Sequence, residues 1–120
     1  MDWSAAFFDD ADKKDIDALT PWFGDKISVR FGNSPAIEGR DAVTETFRNF
    51  YSSIAGMKHT RDTVIVDGDS ICSAATVTYT RHDGSTVSMP VASVLHREPS
   101  GKLDKLHIYI DINPLFAPPT

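Results

Sequence analysis

At Gly56 the hydrophobic period of the chain changes, and no other feature constrains the fold as much. Before Gly56 apolar residues mostly recur every three or four positions, as on one face of a helix; after it they alternate, as along strands. In the first part, Trp3, Ala6, Phe7 and Asp10 step by three and four, and Phe8 widens the stripe. A second, shorter helix fits residues 13–23, where Ile16, Leu19 and Phe23 repeat and Pro21 makes the end irregular. Residues 26–31 alternate and read as a strand, closed by Gly32-Asn33-Ser34-Pro35. The longest helix is expected over residues 39–54, with Ala42, Val43, Phe47, Phe50, Tyr51 and Ile54 on one face. Asp41 suits its first turn, and Gly56 its C-terminal cap.

Beyond Gly56 four strands are expected, over residues 57–66, 70–81, 86–97 and 103–112. They are joined by Asp67-Gly68-Asp69, His82-Asp83-Gly84-Ser85 and Glu98-Pro99-Ser100-Gly101, which is hairpin chemistry. The tail through Pro118 and Pro119 leaves the sheet. The expected architecture is one α+β domain over residues 1–120: N-terminal helices packed on a strongly curved antiparallel or mixed β-sheet, forming a cone with an interior pocket.

Composition narrows the partners. A chain of 120 residues, 41% hydrophobic and 24% charged, is long enough for a core of its own. A net charge of −5 with no Lys/Arg cluster argues against nucleic acid and anionic membrane as partners. The single Cys72 reads as a small buried hydrophobe, and the lack of an internal disulfide suits the cytoplasm. The start Met1-Asp2-Trp3-Ser4 lacks the blocks of a signal peptide, and no run approaches the roughly 20 apolar residues of a membrane span.

The hairpins suggest which face is interior. With Asp83-Gly84 as the turn centre, Thr80 faces Val87, Thr78 faces Met89 and Thr76 faces Val91. The inner face then carries Cys72, Ala74, Thr76, Thr78, Val87, Met89, Val91 and Leu95, joined by His59, Arg61, Thr63 and Ile65. On the last strand the apolar parity is Leu106, Ile108, Ile110 and Ile112. The outer face carries Val77, Tyr79, Ala92, Val94, His107, Tyr109 and Asp111. Its half-apolar character implies a second protomer covering it, a homodimer through the outer sheet face. A one-residue bulge would swap these assignments locally.

Several segments are similar to those of a known family. These are Val29-Arg30-Phe31-Gly32-Asn33-Ser34-Pro35, the helix start Ile37-Glu38-Gly39-Arg40-Asp41-Ala42-Val43, and the strand end His107-Ile108-Tyr109-Ile110-Asp111. With the hairpin strands Thr78-Tyr79-Thr80-Arg81 and Val87-Ser88-Met89-Pro90-Val91, they resemble the SnoaL-like branch of the nuclear-transport-factor-2-like superfamily over nearly the whole chain. The resemblance implies a cone with a deep pocket, usually dimeric. It also implies a range of roles: polyketide cyclases, ketosteroid isomerases, epoxide hydrolases, dehydratases, and modules without activity. Fold alone does not choose among them.

The residues test these chemistries. The epoxide-hydrolase pattern is incomplete: Asn33 fits, but Phe31 lacks the matching hydroxyl, Arg81-His82-Asp83 sits at a turn, and Ile108 stands where the resemblance places an acid. The isomerase pattern lacks its base after the first strand and its Tyr on the first helix. His59 remains as a general base in an apolar pocket, with Arg61 to stabilise an enolate or carboxylate; alternatively His59 bonds a neighbouring strand and Arg61 pairs with an acid. Asp111 is a second catalytic candidate, or else it fixes the strand end by bonding backbone N–H groups near Pro114. Phe31, Asn33, Arg61, Thr76, Thr78, Met89, Ile108 and Tyr109 are the expected substrate contacts. No metal-ligand spacing or phosphate loop occurs, so no metal or cofactor is expected. The sequence-based expectation is a hydrophobic small-molecule pocket. It serves either cofactor-free isomerase, cyclase or dehydratase chemistry with His59 as base, or non-catalytic ligand binding or dimerisation.

Overall fold

The computed structural model describes residues 2–117, so Met1, Pro118, Pro119 and Thr120 lie outside the described residues. Helix α1 (Ser4–Asp12) and the single turn α2 (Ile16–Leu19) come first, and a 3-10 turn over Thr20–Trp22 leads into strand β1 (Phe23–Phe31). Then follow the short β2 (Ile37–Glu38), the long helix α3 (Arg40–Ser52), and strands β3 (Gly56–Asp67), β4 (Ser70–Thr80), β5 (Thr86–Arg97) and β6 (Leu103–Ile110). The single turn α4 (Asn113–Phe116) closes the described chain. The sheet order is β2-β1-β6-β5-β4-β3, antiparallel throughout except for the parallel pair β1–β6. This is the α+β fold with a mixed sheet expected from the sequence. The sheet is open, with β2 and β3 at its edges.

Several boundaries differ from the expectation, and the two-residue β2 was not expected. The second helix stops at Leu19, because Pro21 turns the chain into 3-10 geometry and Phe23 already belongs to β1. Helix α3 stops at Ser52, so Gly56 is not its cap; Ala55 N–H and the Gly56–Thr80 pair already belong to the sheet. Strand β6 stops at Ile110, since Ile112 precedes α4.

The core lies between the helices and one face of the sheet. Val43, Phe47 and Tyr51 step along α3 at the helical repeat and are buried, as are Phe7, Phe8 and Ala11 on α1. Opposite them stand Val29, Leu95 and Leu106, aligned as neighbours across β1, β6 and β5. Each such side chain contributes about 1.5–3 kcal/mol by leaving water.

Two departures from simple hairpins decide which residues face this core. The β4–β5 connection is a five-residue loop, because Thr80 pairs with Thr86. Its centre is Asp83, not the Asp83-Gly84 bond, and Gly84 takes φ +88°. Asp83 accepts from the Ser85 N–H and hydroxyl, fixing that loop length. The register therefore moves by one residue, and every β4 side chain changes face. Val77 faces Met89 and Ala75 faces Val91, so Val77 and Tyr79 are core residues rather than outer ones. Thr76, Thr78, Ala74 and Cys72 turn outward, and Cys72 is exposed rather than buried.

The second departure is a bulge at Asp62. Pairing along β3–β4 runs Arg61–Ala75 and then Thr63–Ala74. Thr63 and Ile65 lie on the outer side, and Ile65 is 62% exposed. Below the bulge His59 and Arg61 point inward, beside Val77 and Ala75 instead of Thr76 and Thr78.

This register makes an opposed pair of predictions. Val77→Asp buries an unpaired carboxylate and abolishes cooperative thermal unfolding, whereas Thr76→Asp moves the melting temperature little. Circular dichroism melts of both variants check this, and the reverse ranking contradicts the register.

Candidate active site

The helix layer and the inner sheet face enclose a small cavity of about 40 Å³. Its helical wall comes from Phe7, Phe8 and Ala11 of α1 and Phe47, Phe50 and Tyr51 of α3. Its sheet wall includes Phe31, Met57, Val91, Leu106 and Ile108. Four polar groups interrupt this apolar surface: His59, Tyr79, Tyr51 and Ser93.

His59 is held from the end of α1. The Asp12 carboxylate accepts the His59 backbone N–H at 2.8 Å and contacts Nδ1 at 2.6 Å. A carboxylate only accepts, so Nδ1 carries a proton, and in the neutral imidazole the lone pair is on Nε2. Among the described residues Nε2 has no protein partner. The Phe8 ring lies against the imidazole, 5.0 Å between centroids, and the His59 side chain is 11% exposed.

The two tyrosines differ in what their hydroxyls do. Tyr51 donates to the Ala11 carbonyl at 2.9 Å and thereby ties α3 to α1. The Tyr79 hydroxyl has no protein partner among the described residues, although the residue is 3% exposed. Burial pushes the Tyr79 hydroxyl well above its ordinary pKa, and the nearby Asp12 charge pushes the same way. Tyr79 is therefore a neutral donor. It sits two residues along β4 from Val77, the direct partner of His59, on the same face.

Arg61 is used differently. Its guanidinium donates to Ser73 Oγ, to both carboxylate oxygens of Asp2 and to Ser4 Oγ, and lies 4.7 Å over the Phe8 ring. These contacts pin the start of α1 to the sheet and leave no charge turned into the cavity.

The structure brings His59, Phe31 and Ile108 together around the cavity. Asn33 and Asp111 lie on a separate open groove, which also includes Phe31. Asp111 is exposed and accepts the Asn113 N–H at 3.1 Å, holding the start of α4. Met89 is a core residue beside Val77, and Tyr109 is 54% exposed on the outer face. Thr76 and Thr78 cannot reach the cavity, for the register reason above; Thr78 instead bonds Ser88 across the outer face.

Asp12, Tyr79 and Ser93 escaped the sequence reading. One signal for Asp12 was present: α1 ends in Asp9-Asp10-Ala11-Asp12, and carboxylates at a helix C-terminus oppose the dipole unless a partner holds them. Tyr79 was hidden by the register. Among the described residues no group of three or more His, Cys, Asp or Glu side chains has the arrangement to hold a metal, and no helix is long and apolar enough to cross a membrane.

A family model described as SnoaL-like domain matches residues 5–105. No curated protein matches the chain in sequence. Among solved structures, an NTF2-like protein of unknown function from Exiguobacterium sp. 255-15 superposes with a TM-score of 0.76 at 23% identity, covering 89% of this chain and 96% of that one. The epoxide hydrolase/cyclase-like enzyme SalBIII, of pyran ring formation in the polyether salinomycin, gives 0.78 at 20% identity, with 91% and 88% covered. An LEH-like epoxide hydrolase of M. tuberculosis gives 0.78 at 18%, with 93% and 82% covered. These likenesses establish an NTF2-like fold.

The Arg61 clamp carries a pH prediction. Burial raises the Asp2 pKa, but the hydrogen bonds from Ser4 and Arg61 and the Arg61 charge together outweigh it and hold the carboxyl below its usual 3.8. A depressed folded-state pKa gives stability that is full above the unfolded value and is lost as pH falls through the folded one. Asp2→Asn is thus less stable than the parent near neutrality, and the difference closes as the pH falls through the lowered Asp2 pKa. Urea unfolding at a series of pH values checks this; a difference independent of pH contradicts it.

Proposed function

The chain belongs to the SnoaL-like domain family, and on that premise we propose that its cavity is a small-molecule site in which His59, oriented by Asp12, acts as a cofactor-free general base. The observation that carries this reading is the 2.6 Å contact between Asp12 and His59 Nδ1 in a wall otherwise made of apolar side chains. A carboxylate that fixes the tautomer of an imidazole and stabilises its protonated form is the arrangement a base needs when it must take and return a proton.

The substrate class follows from the neighbours. The proton taken is one next to a carbonyl: Nε2 accepts it, the C–H electron pair moves into the enolate, and the developing oxygen charge accepts a hydrogen bond from Tyr79. In a β,γ-unsaturated ketone, return of the proton from Nε2 to the γ carbon gives an isomerisation; attack of the enolate on a second carbonyl, whose oxygen takes the proton from Nε2, gives a cyclisation; loss of a β-hydroxyl, departing as water with that proton, gives a dehydration. The first needs no other group, so isomerisation is the simplest use of the site. Epoxide opening fits less well, because Ile108 occupies the wall where a water-activating acid would stand and Asp12 is engaged by His59. A half-apolar outer face with Ala92, Val94 and exposed Tyr109 suits a second copy of the chain.

The test does not require the natural substrate. β-Tetralone has acidic protons beside its carbonyl, and their exchange in heavy water is followed by proton NMR. The protein accelerates this exchange; His59→Gln lowers the acceleration by about 10²–10⁴-fold, and Asp12→Asn by a similar order through the wrong tautomer. Acceleration that is undiminished in His59→Gln contradicts the assignment of the base. No acceleration alongside tight binding favours the non-catalytic binding module instead.

A further inference from the structure

We infer that Phe31 is a gate between the inner cavity and an outer polar groove, and that the site takes an elongated neutral ketone whose carbonyl end lies inside and whose hydrogen-bonding end stays in the groove. The inference rests on the small-molecule reading above and goes on to specify the entrance and the ligand class.

Two voids meet at Phe31, and it is the one described residue that lines both. The inner void of about 40 Å³ has room for a few waters and not for an organic substrate. The outer void is an open groove of about 640 Å³, with Asn33, Ser34, Asp111 and Asn113 along it. Catalysis at His59 on anything larger than water thus needs the two spaces joined. The Phe31 ring is half-buried and packs on Phe50 and Phe47, at 5.2 and 6.1 Å between centroids, with no polar tie to hold it. A change of rotamer moves it without breaking a hydrogen bond.

The backbone beneath that ring stays in place. Phe31 pairs with Ile108 in the β1–β6 ladder, and the Gly32 N–H donates to the Ile108 carbonyl at 2.8 Å. A Cβ on Gly32 would come within 2.8 Å of the Ile110 carbonyl oxygen, so the chain is already at closest approach there. The opposite wall, α1, is a poorer door. Opening it breaks the Asp2–Arg61 and Asp12–His59 contacts, and the second of these is what orients the base.

Charge selects a neutral ligand. No Lys or Arg lines either void, and Arg61 is committed to Asp2, Ser4 and Ser73. The polar side chains of the groove are one carboxylate, Asp111, and the amide and hydroxyl groups of Asn33, Asn113 and Ser34, set among Ile110 and Ile112. An anion meets no Lys or Arg along this path.

The test uses Prodan, a neutral flat fluorescent ketone whose emission shifts to the blue on leaving water. Stopped-flow mixing measures its association with the parent protein and with Phe31→Ala, Phe31→Trp and Phe8→Ala, each checked by a thermal melt; Phe31→Leu replaces the alanine variant should that one melt early. Phe31→Ala is expected to associate about tenfold faster than the parent and Phe31→Trp more slowly, because the gating step limits entry. Unchanged rates in both Phe31 variants, or acceleration by Phe8→Ala alone, overturn the gate and leave the cavity reading standing. No blue shift with any of the proteins overturns the small-molecule reading itself, and the gate with it.

Discussion

The Asp12 carboxylate joins the two layers of this fold. It terminates α1, and its two oxygens take the backbone N–H and the imidazole of one residue on β3. Placing a negative charge at a helix C-terminus costs about 0.3–1 kcal/mol. Two hydrogen bonds to a charged acceptor contribute more than that, since charge-assisted bonds are each worth about 1.5–3 kcal/mol. The same contact lays Phe7 and Phe8 over the sheet and holds the His59 ring against the cavity. Stability and the proposed chemistry thus share one group.

The second constraint is where charge is spent. Arg61 lies near the cavity and is the obvious candidate to stabilise an anion. Its donors go instead to Asp2, Ser4 and Ser73. That choice fastens the N-terminus to β3 and β4, and it leaves the cavity walls without a cation. What remains inside is the His59 imidazole, two tyrosine hydroxyls that burial keeps protonated, and a serine. In the proposed chemistry this set takes and returns a proton beside a neutral carbonyl, and no Lys or Arg lines the cavity to pair with a carboxylate or a phosphate.

Much of the architecture was legible in the sequence. The change of period at Gly56, the Val43, Phe47, Phe50 and Tyr51 part of the expected α3 face, though not exposed Ala42, and the parity of Leu106, Ile108 and Ile110 reflect local patterning, which burial of one face imposes on any such element. The inward direction of His59 was legible for a mixed reason: the expected register missed the Asp62 bulge and also miscounted the β4–β5 loop, and both shift parity by one. The two errors cancelled for His59 against β5 but not for Thr76, Thr78 or Tyr79. Loop length depends on how Asp83 bonds Ser85, and a bulge leaves no mark in alternation. The Asp12–His59 contact spans 47 residues, and no local spacing encodes it.

The account depends most directly on the tautomer of His59, which nitrogen-15 NMR of the imidazole reports without any ligand. For the neutral imidazole the predicted spectrum has the proton on Nδ1, a short hydrogen bond to Asp12, and an unprotonated Nε2, with the pattern reverting to the ordinary mixture in Asp12→Ala. A proton resident on Nε2 in the parent protein, or a spectrum indifferent to the loss of Asp12, would contradict it.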